Sequence, residues 1–154
     1  MYPTRVLLFD RLIADSVPLR LYGPGFPRWL PDRPLTAHHT GRFVVREEKA
    51  RTFRQSSGVL NNLHPAERGV NCRLFEAAGS GGAVLCDARE PLRDLFEDGS
   101  EVLTFTTYDD LLALCIRLTR DPDLTRRIGD AAAARAHAEH TYQHRLRVIL
   151  EDLV

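Results

Sequence analysis

Three short apolar runs constrain this chain more than any other feature: GVLNNL (58–63), GAVLCD (82–87) and EVLTF (101–105). Each is strand-length and apolar on both faces, the pattern of parallel strands covered by helices on two sides. Helix-forming segments separate and follow them. CRLFEAAGS and PLRDLFEDG read as helices, the second ended by Gly99, and three more come after the last strand: TYDDLLALCIRLTRD, DLTRRIGDAAAARAHAEH and TYQHRLRVILEDLV. Thr107 with Asp110 forms a capping-box entrance, and Thr141 is placed to cap the final helix. Strands alternating with helices define an α/β class with a parallel sheet flanked by helices and a helical C-terminus.

Upstream, RVLLFDRLIA (5–14) places Val6, Phe9, Leu12 and Ile13 at helical spacing, with a VLLF strand as the alternative. LRLYG (19–23) and RFVV (42–45) read as short strands, and REEKARTFRQS (46–56) as a charged helix. Residues 24–41 hold four prolines and two glycines and form a long loop. Open parallel sheets bind ligands beyond the carboxyl ends of their strands. That rule selects the loops after Tyr22, Leu63 and Asp87.

The length of 154 residues suits one domain, residues 1–154, with its own core. Acids and bases balance at 21 each, which disfavours nucleic acid as a partner. No run approaches the roughly 20 apolar residues of a membrane span, and the N-terminus has no cleavable signal pattern. Cys72, Cys86 and Cys115 are widely spaced and sit in apolar runs, the pattern of buried, reduced thiols in a cytoplasmic protein.

The most unusual stretch is RGVNCRLFEAAGSGG (68–82), the loop and helix entrance after GVLNNL. A helix N-terminus presents unpaired N–H groups and partial positive charge, which suits phosphate. Gly69 permits close backbone approach. Arg73 is unfavourable there by the helix dipole unless an anion is near, and Glu76 lies on the same face, where a carboxylate can accept two ribose hydroxyls. The plainer reading is an i,i+3 ion pair worth about 0.2–0.5 kcal/mol with glycines as turns. The stretch is not the dinucleotide fingerprint, since GSGG precedes a strand.

Asn61, the Gly69-Val70-Asn71 turn, Arg73, Phe75-Glu76-Ala77, Gly81, the Asp87 strand end, Phe96 to Gly99, and His140-Thr141-Tyr142 followed by Arg145 together resemble the C-terminal, donor-binding domain of two-domain GT-B glycosyltransferases. The nearest group is the CgeB-type (spore maturation protein) family of the group 1 lineage. The resemblance covers about residues 58–150, and LRLYGPGFPRW is similar to the family's second strand and loop. It implies a Rossmann-like sheet that binds a nucleotide-diphosphate sugar as donor substrate, with no other cofactor and no obligatory metal. Glu76 matches the residue that holds the ribose hydroxyls, and Gly69, Val70 and Asn71 match the turn facing the diphosphate. Arg73 is a phosphate or sugar neighbour. The base is expected near Val44 and Val45.

Two departures follow from the same resemblance. Related retaining enzymes often carry a second Glu eight residues before the first; Arg68 stands there, with Glu67 displaced by one. GT-B enzymes also have an N-terminal acceptor domain and a first strand that this sequence does not show. The expected partners are therefore the nucleotide sugar and either an acceptor domain or another chain, with the sheet closed by direct pairing or by homo-oligomerisation. A non-catalytic nucleotide-binding or protein-interaction module is the alternative.

His137, His140 and His144 fall at i, i+3 and i+7, where surface or packing roles outweigh a metal site. His64, after a strand end on the cleft side, is a better ligand candidate than the loop pair His38-His39. Phe26 and Trp29 read as core cover. No nucleophilic triad can be assembled, so the catalytic residues are unassigned.

Overall fold

A computed structural model describes residues 3–27, 30 and 33–151, apart from the side chain of Val148. The chain divides into two compact units, Met1–Lys49 and Ala50–Val154. Trp29 lies outside the described residues.

In the first unit, helix α1 (Pro3–Ala14) buries Val6, Phe9 and Leu12. That spacing is the apolar stripe of a helix, and the strand alternative for VLLF falls away. The helix packs on a 3-10 turn at Pro34–His38 whose Leu35 is fully buried. Arg33 Nε lies 2.6 Å from Asp10 Oδ2. The two strands expected here do not form. Leu21 makes a single parallel bridge to His39, with Leu21 N–H donating to His38 O and Thr40 N–H to Leu21 O, each at 2.9 Å. Residues 42–45 form no strand, and Phe43 and Val45 are exposed. With nothing to cover them, their β-propensity has no packing to act through. Helix α2 (Arg46–Gln55) begins in this unit, runs on into the second, and buries none of its residues.

The second unit is built on three parallel strands: β1 (Val59–Asn61), β2 (Val84–Asp87) and β3 (Leu103–Phe105). Their order is β1-β2-β3, so β2 is central and β1 an edge of the sheet. Val59 pairs with Val84 and Asn61 with Cys86; Leu85 pairs with Leu103 and Asp87 with Phe105. Among the described residues no strand continues the sheet beyond β1.

Helix α3 (Cys72–Gly79) connects β1 to β2 and buries Leu74, Ala77 and Ala78. These join Val59, Val84, Cys86, Val102, Phe96, Ala132 and Ala136 in one core cluster. Helix α5 (Pro122–Glu139) covers α3. Its Gly129 is fitted to that contact, because a Cβ there would sit 2.3 Å from the backbone oxygen of Gly81. Gly81 has φ +78°, the left-handed region glycine adopts without strain. Helix α4 (Tyr108–Arg120) opens with the anticipated capping box, Thr107 with Asp110. Helix α6 (Tyr142–Glu151) closes the described chain.

The helix expected over 91–99 is reduced to a 3-10 turn at Glu90–Leu92. Side chains further along capture the backbone instead. Glu97 N–H donates to Glu101 Oε2 at 2.8 Å, and Asp98 accepts from Thr104 N–H and Oγ1 at 2.8 and 2.7 Å. These local bonds compete with helical ones and draw the segment onto the start of β3.

Candidate functional site

The carboxyl ends of β1 and β2 are tied together by the side chain that ends β2. The Asp87 carboxylate accepts from Leu63 N–H at 2.6 Å and from Asn62 Nδ2 at 2.8 Å. Two residues on, Arg89 reaches back to the same segment. Its Nη1 donates to the Glu67 carbonyl and its Nη2 to the His64 carbonyl at 3.3 Å. Thus one acid and one base beyond β2 hold residues 62–67 by both donors and acceptors. Two of the three loops selected by the strand-end rule, those after Leu63 and Asp87, are in direct contact; the loop after Tyr22 belongs to the other unit.

The segment held this way runs into the mouth of α3. Asn71 is the N-cap, in extended backbone, and its Oδ1 accepts from Leu74 N–H at 3.3 Å. That satisfies one of the orphan donors of the first turn and leaves others facing outward. Val70 is half-buried against the core cluster. Gly69 is exposed, with nothing within 4 Å of where a Cβ would lie and no positive φ. Neither packing nor backbone strain accounts for glycine there. Arg68, Arg73, Glu76 and His64 are all exposed. His64 Nδ1 accepts from Ala66 N–H at 3.2 Å, so the imidazole shapes its own loop. Cys72, expected to be buried, is exposed because it is the first residue of α3 and sits at the helix mouth.

Of the candidates drawn from the sequence, His64, Arg68, Gly69, Val70, Asn71, Arg73 and Glu76 therefore lie along one stretch, from the end of β1 through α3. Val45 belongs to the unit ending at Lys49, where it is half exposed. A polar cavity of the second unit, about 540 Å3 and lined by Arg54, Ser57, Gly81 and Thr125 among others, lies by the amino ends of the strands. That is the wrong end for an open parallel sheet.

Phe75, next to Glu76, turns inward. Its ring centroid is 5.9 Å from Phe96 and 5.5 Å from His140, and the Arg145 guanidinium lies 4.4 Å from its centre. His140 Nε2 is 2.7 Å from Leu95 O. The closing His140 and Arg145 are thus anchors for α3. His137 Nε2 lies 3.0 Å from Gly79 O, and His144 Nδ1 lies 2.7 Å from Thr141 Oγ1, so the three histidines have separate partners. In the core below, burial pushes the Cys86 thiol up to about 11, with the nearby Asp87 charge adding to the effect. A thiol so protonated is inert.

Arg89 had no prominence in the sequence. The available signal was a pair of opposite charges, Asp87 and Arg89, at and just beyond the end of an apolar strand.

A three-stranded parallel sheet with helices packed on it, whose strand-end loops meet at a helix mouth, is a Rossmann-like α/β domain. The model of the glycosyl transferase-like family matches residues 5–151, and the chain belongs to that family. No curated protein matches the chain.

Proposed function

We propose that this chain is a donor-binding domain that takes a nucleotide-diphosphate sugar at the mouth of α3 for transfer of the sugar to an acceptor. The observation that carries the reading is the junction of the two strand-end loops at that mouth, in a chain of the glycosyl transferase-like family. The outward N–H groups of the first turn and the open backbone at Gly69 suit a diphosphate. Arg73 or Arg68 would supply positive charge to the departing diphosphate, and the exposed Glu76 would accept the ribose hydroxyls. The chemistry asked of the protein is positioning and charge stabilisation. The quoted motif favours the CgeB-type branch, and three free cysteines suit a reducing, cytoplasmic setting.

Arg68, exposed where related retaining enzymes often present a Glu, favours a second reading in which the domain binds a nucleotide or a partner chain without transferring sugar. One experiment separates the two from each other and from neither. Melting is followed with UDP-, GDP-, ADP- and TDP-sugars, wild type against Glu76→Ala, together with an assay for release of nucleoside diphosphate. Stabilisation abolished by Glu76→Ala supports donor binding, and accompanying release supports transfer. A panel that stabilises neither protein overturns donor binding.

A further inference from the structure

We infer that Arg89 is a positioning residue: it holds residues 64–67 in the conformation that presents the 68–71 turn to a nucleoside diphosphate. The inference rests on the donor-binding reading above. It starts from the topology. Residues 64–71 have no strand or helix of their own, and residues 64–69 are all exposed; a local turn, with Ala66 N–H donating to His64 Nδ1 and Glu67 N–H to His64 O, shapes the loop, and its attachment to the rest of the fold must come from outside the segment. The exposed loop is fixed at three places. Asp87 takes the Leu63 amide at its beginning, Arg89 takes the His64 and Glu67 carbonyls in its middle, and the Asn71 cap bonds Leu74 N–H at its end. Of these three, the middle restraint acts on the exposed part, beside that part's own turn bonds to His64.

The arginine is suited to this. A guanidinium offers several donors in a fixed fork, so one head group can fix the spacing of two carbonyls three residues apart; an ammonium offers a single point charge. Its third nitrogen, Nε, is buried and has no hydrogen-bond partner among the described residues. Arg89 is not itself a member of the core cluster. Its loss should therefore loosen the loop and leave the fold standing.

The test uses the full chain in three forms, wild type, Arg89→Ala and Arg89→Lys. Amide exchange is measured across the sequence, and affinity is measured for UDP, GDP, ADP and TDP. In Arg89→Ala, exchange should accelerate about 10–100-fold within 63–70 and nowhere else, the scale of a lost charge-assisted hydrogen bond. Affinity for whichever diphosphate binds wild type best should fall by about tenfold or more, on the same scale. Arg89→Lys should recover part of both, because it can hold one carbonyl. Faster exchange throughout the second unit with a matching fall in Tm would make Arg89 an ordinary structural residue and overturn the inference. So would local loosening with unchanged affinity. If wild type binds none of the four diphosphates, the donor-binding reading fails and takes the ligand half of the inference with it; the exchange pattern still decides whether Arg89 holds the loop.

Discussion

The carboxylate of Asp87, the last residue of β2, accepts the backbone N–H of Leu63 at 2.6 Å across 24 positions of sequence. The same carboxylate takes Asn62 Nδ2 at 2.8 Å. Asp87→Ala removes both acceptors and leaves the Leu63 amide without its partner. Hydrogen bonds to a charged group are worth about 1.5–3 kcal/mol each, so urea denaturation should show a loss of about 3 kcal/mol or more. Asp87→Asn should lose less, since one acceptor oxygen remains. Equal stability of Asp87→Ala and wild type would show that the bond contributes nothing net.

Gly129→Ala should destabilise, although alanine is the better helix former by about 1 kcal/mol. The new Cβ meets the Gly81 backbone oxygen at 2.3 Å, and neither backbone can yield cheaply. A net loss of about 2 kcal/mol or more is expected in thermal or urea denaturation. A variant more stable than wild type would mean that α5 and the Gly81 turn separate readily.

Asn61 is fully buried, its Oδ1 has no hydrogen-bond partner among the described residues, and its Nδ2 has only a 3.8 Å contact to Cys86 Sγ. Replacing a poorly satisfied polar group by an apolar one of similar shape is close to neutral. Asn61→Val should therefore stay within about 1 kcal/mol of wild type or exceed it. Asn61→Asp, which would bury a charge, should lose at least about 3 kcal/mol at neutral pH. Denaturation midpoints of the two variants decide the matter; a large loss in Asn61→Val would reveal a partner for Oδ1, such as an ordered water.

Backbone donation from Thr107, then the Thr106 and Thr107 hydroxyls, hold the Asp110 carboxyl at about 2, below its ordinary 3.8. A depressed carboxyl stabilises the folded chain above the unfolded value and stops doing so as pH falls through the folded one. Wild type should therefore lose this contribution between about pH 4 and pH 2, and Asp110→Asn should show a shallower fall in Tm over the same interval. Parallel pH profiles for the two proteins would place the titrating groups elsewhere.

Much of the second unit was legible in its residues. The runs around Val59, Val84 and Leu103 became parallel strands because each is apolar on both faces and too short to be anything else once helices surround it. The Thr107–Asp110 box was readable for the same local reason. The failures share a cause too. RFVV has strand-forming residues, but Phe43 and Val45 have no surface to cover, and β-propensity acts only through such packing. PLRDLFEDG has helix-forming residues, but the Glu101 side chain captures the Glu97 N–H that a helix would need, and Asp98 bonds forward to Thr104 of β3. Of the candidate site, the α3 mouth was visible as a motif. The Arg89 clamp was not, because it joins two loops more than 20 residues apart, and spacing along the sequence carries no trace of it.

Helix α3 is a short lever. Eight residues at about 1.5 Å each make it about 12 Å long, from the Gly81 turn at one end to Asn71 at the other. Its rear is pinned where Gly129 leaves no room for a methyl group and where His137 meets the Gly79 carbonyl. A tilt of about 5° about that pin would carry the Asn71 end through about 1 Å, a displacement of the size that can cost a binding or catalytic site two orders of magnitude. The aim of the helix mouth is thus set at the other end of α3, by the thickness of two glycines. On the donor-binding proposal, substitutions there should alter affinity without touching anything that a ligand contacts.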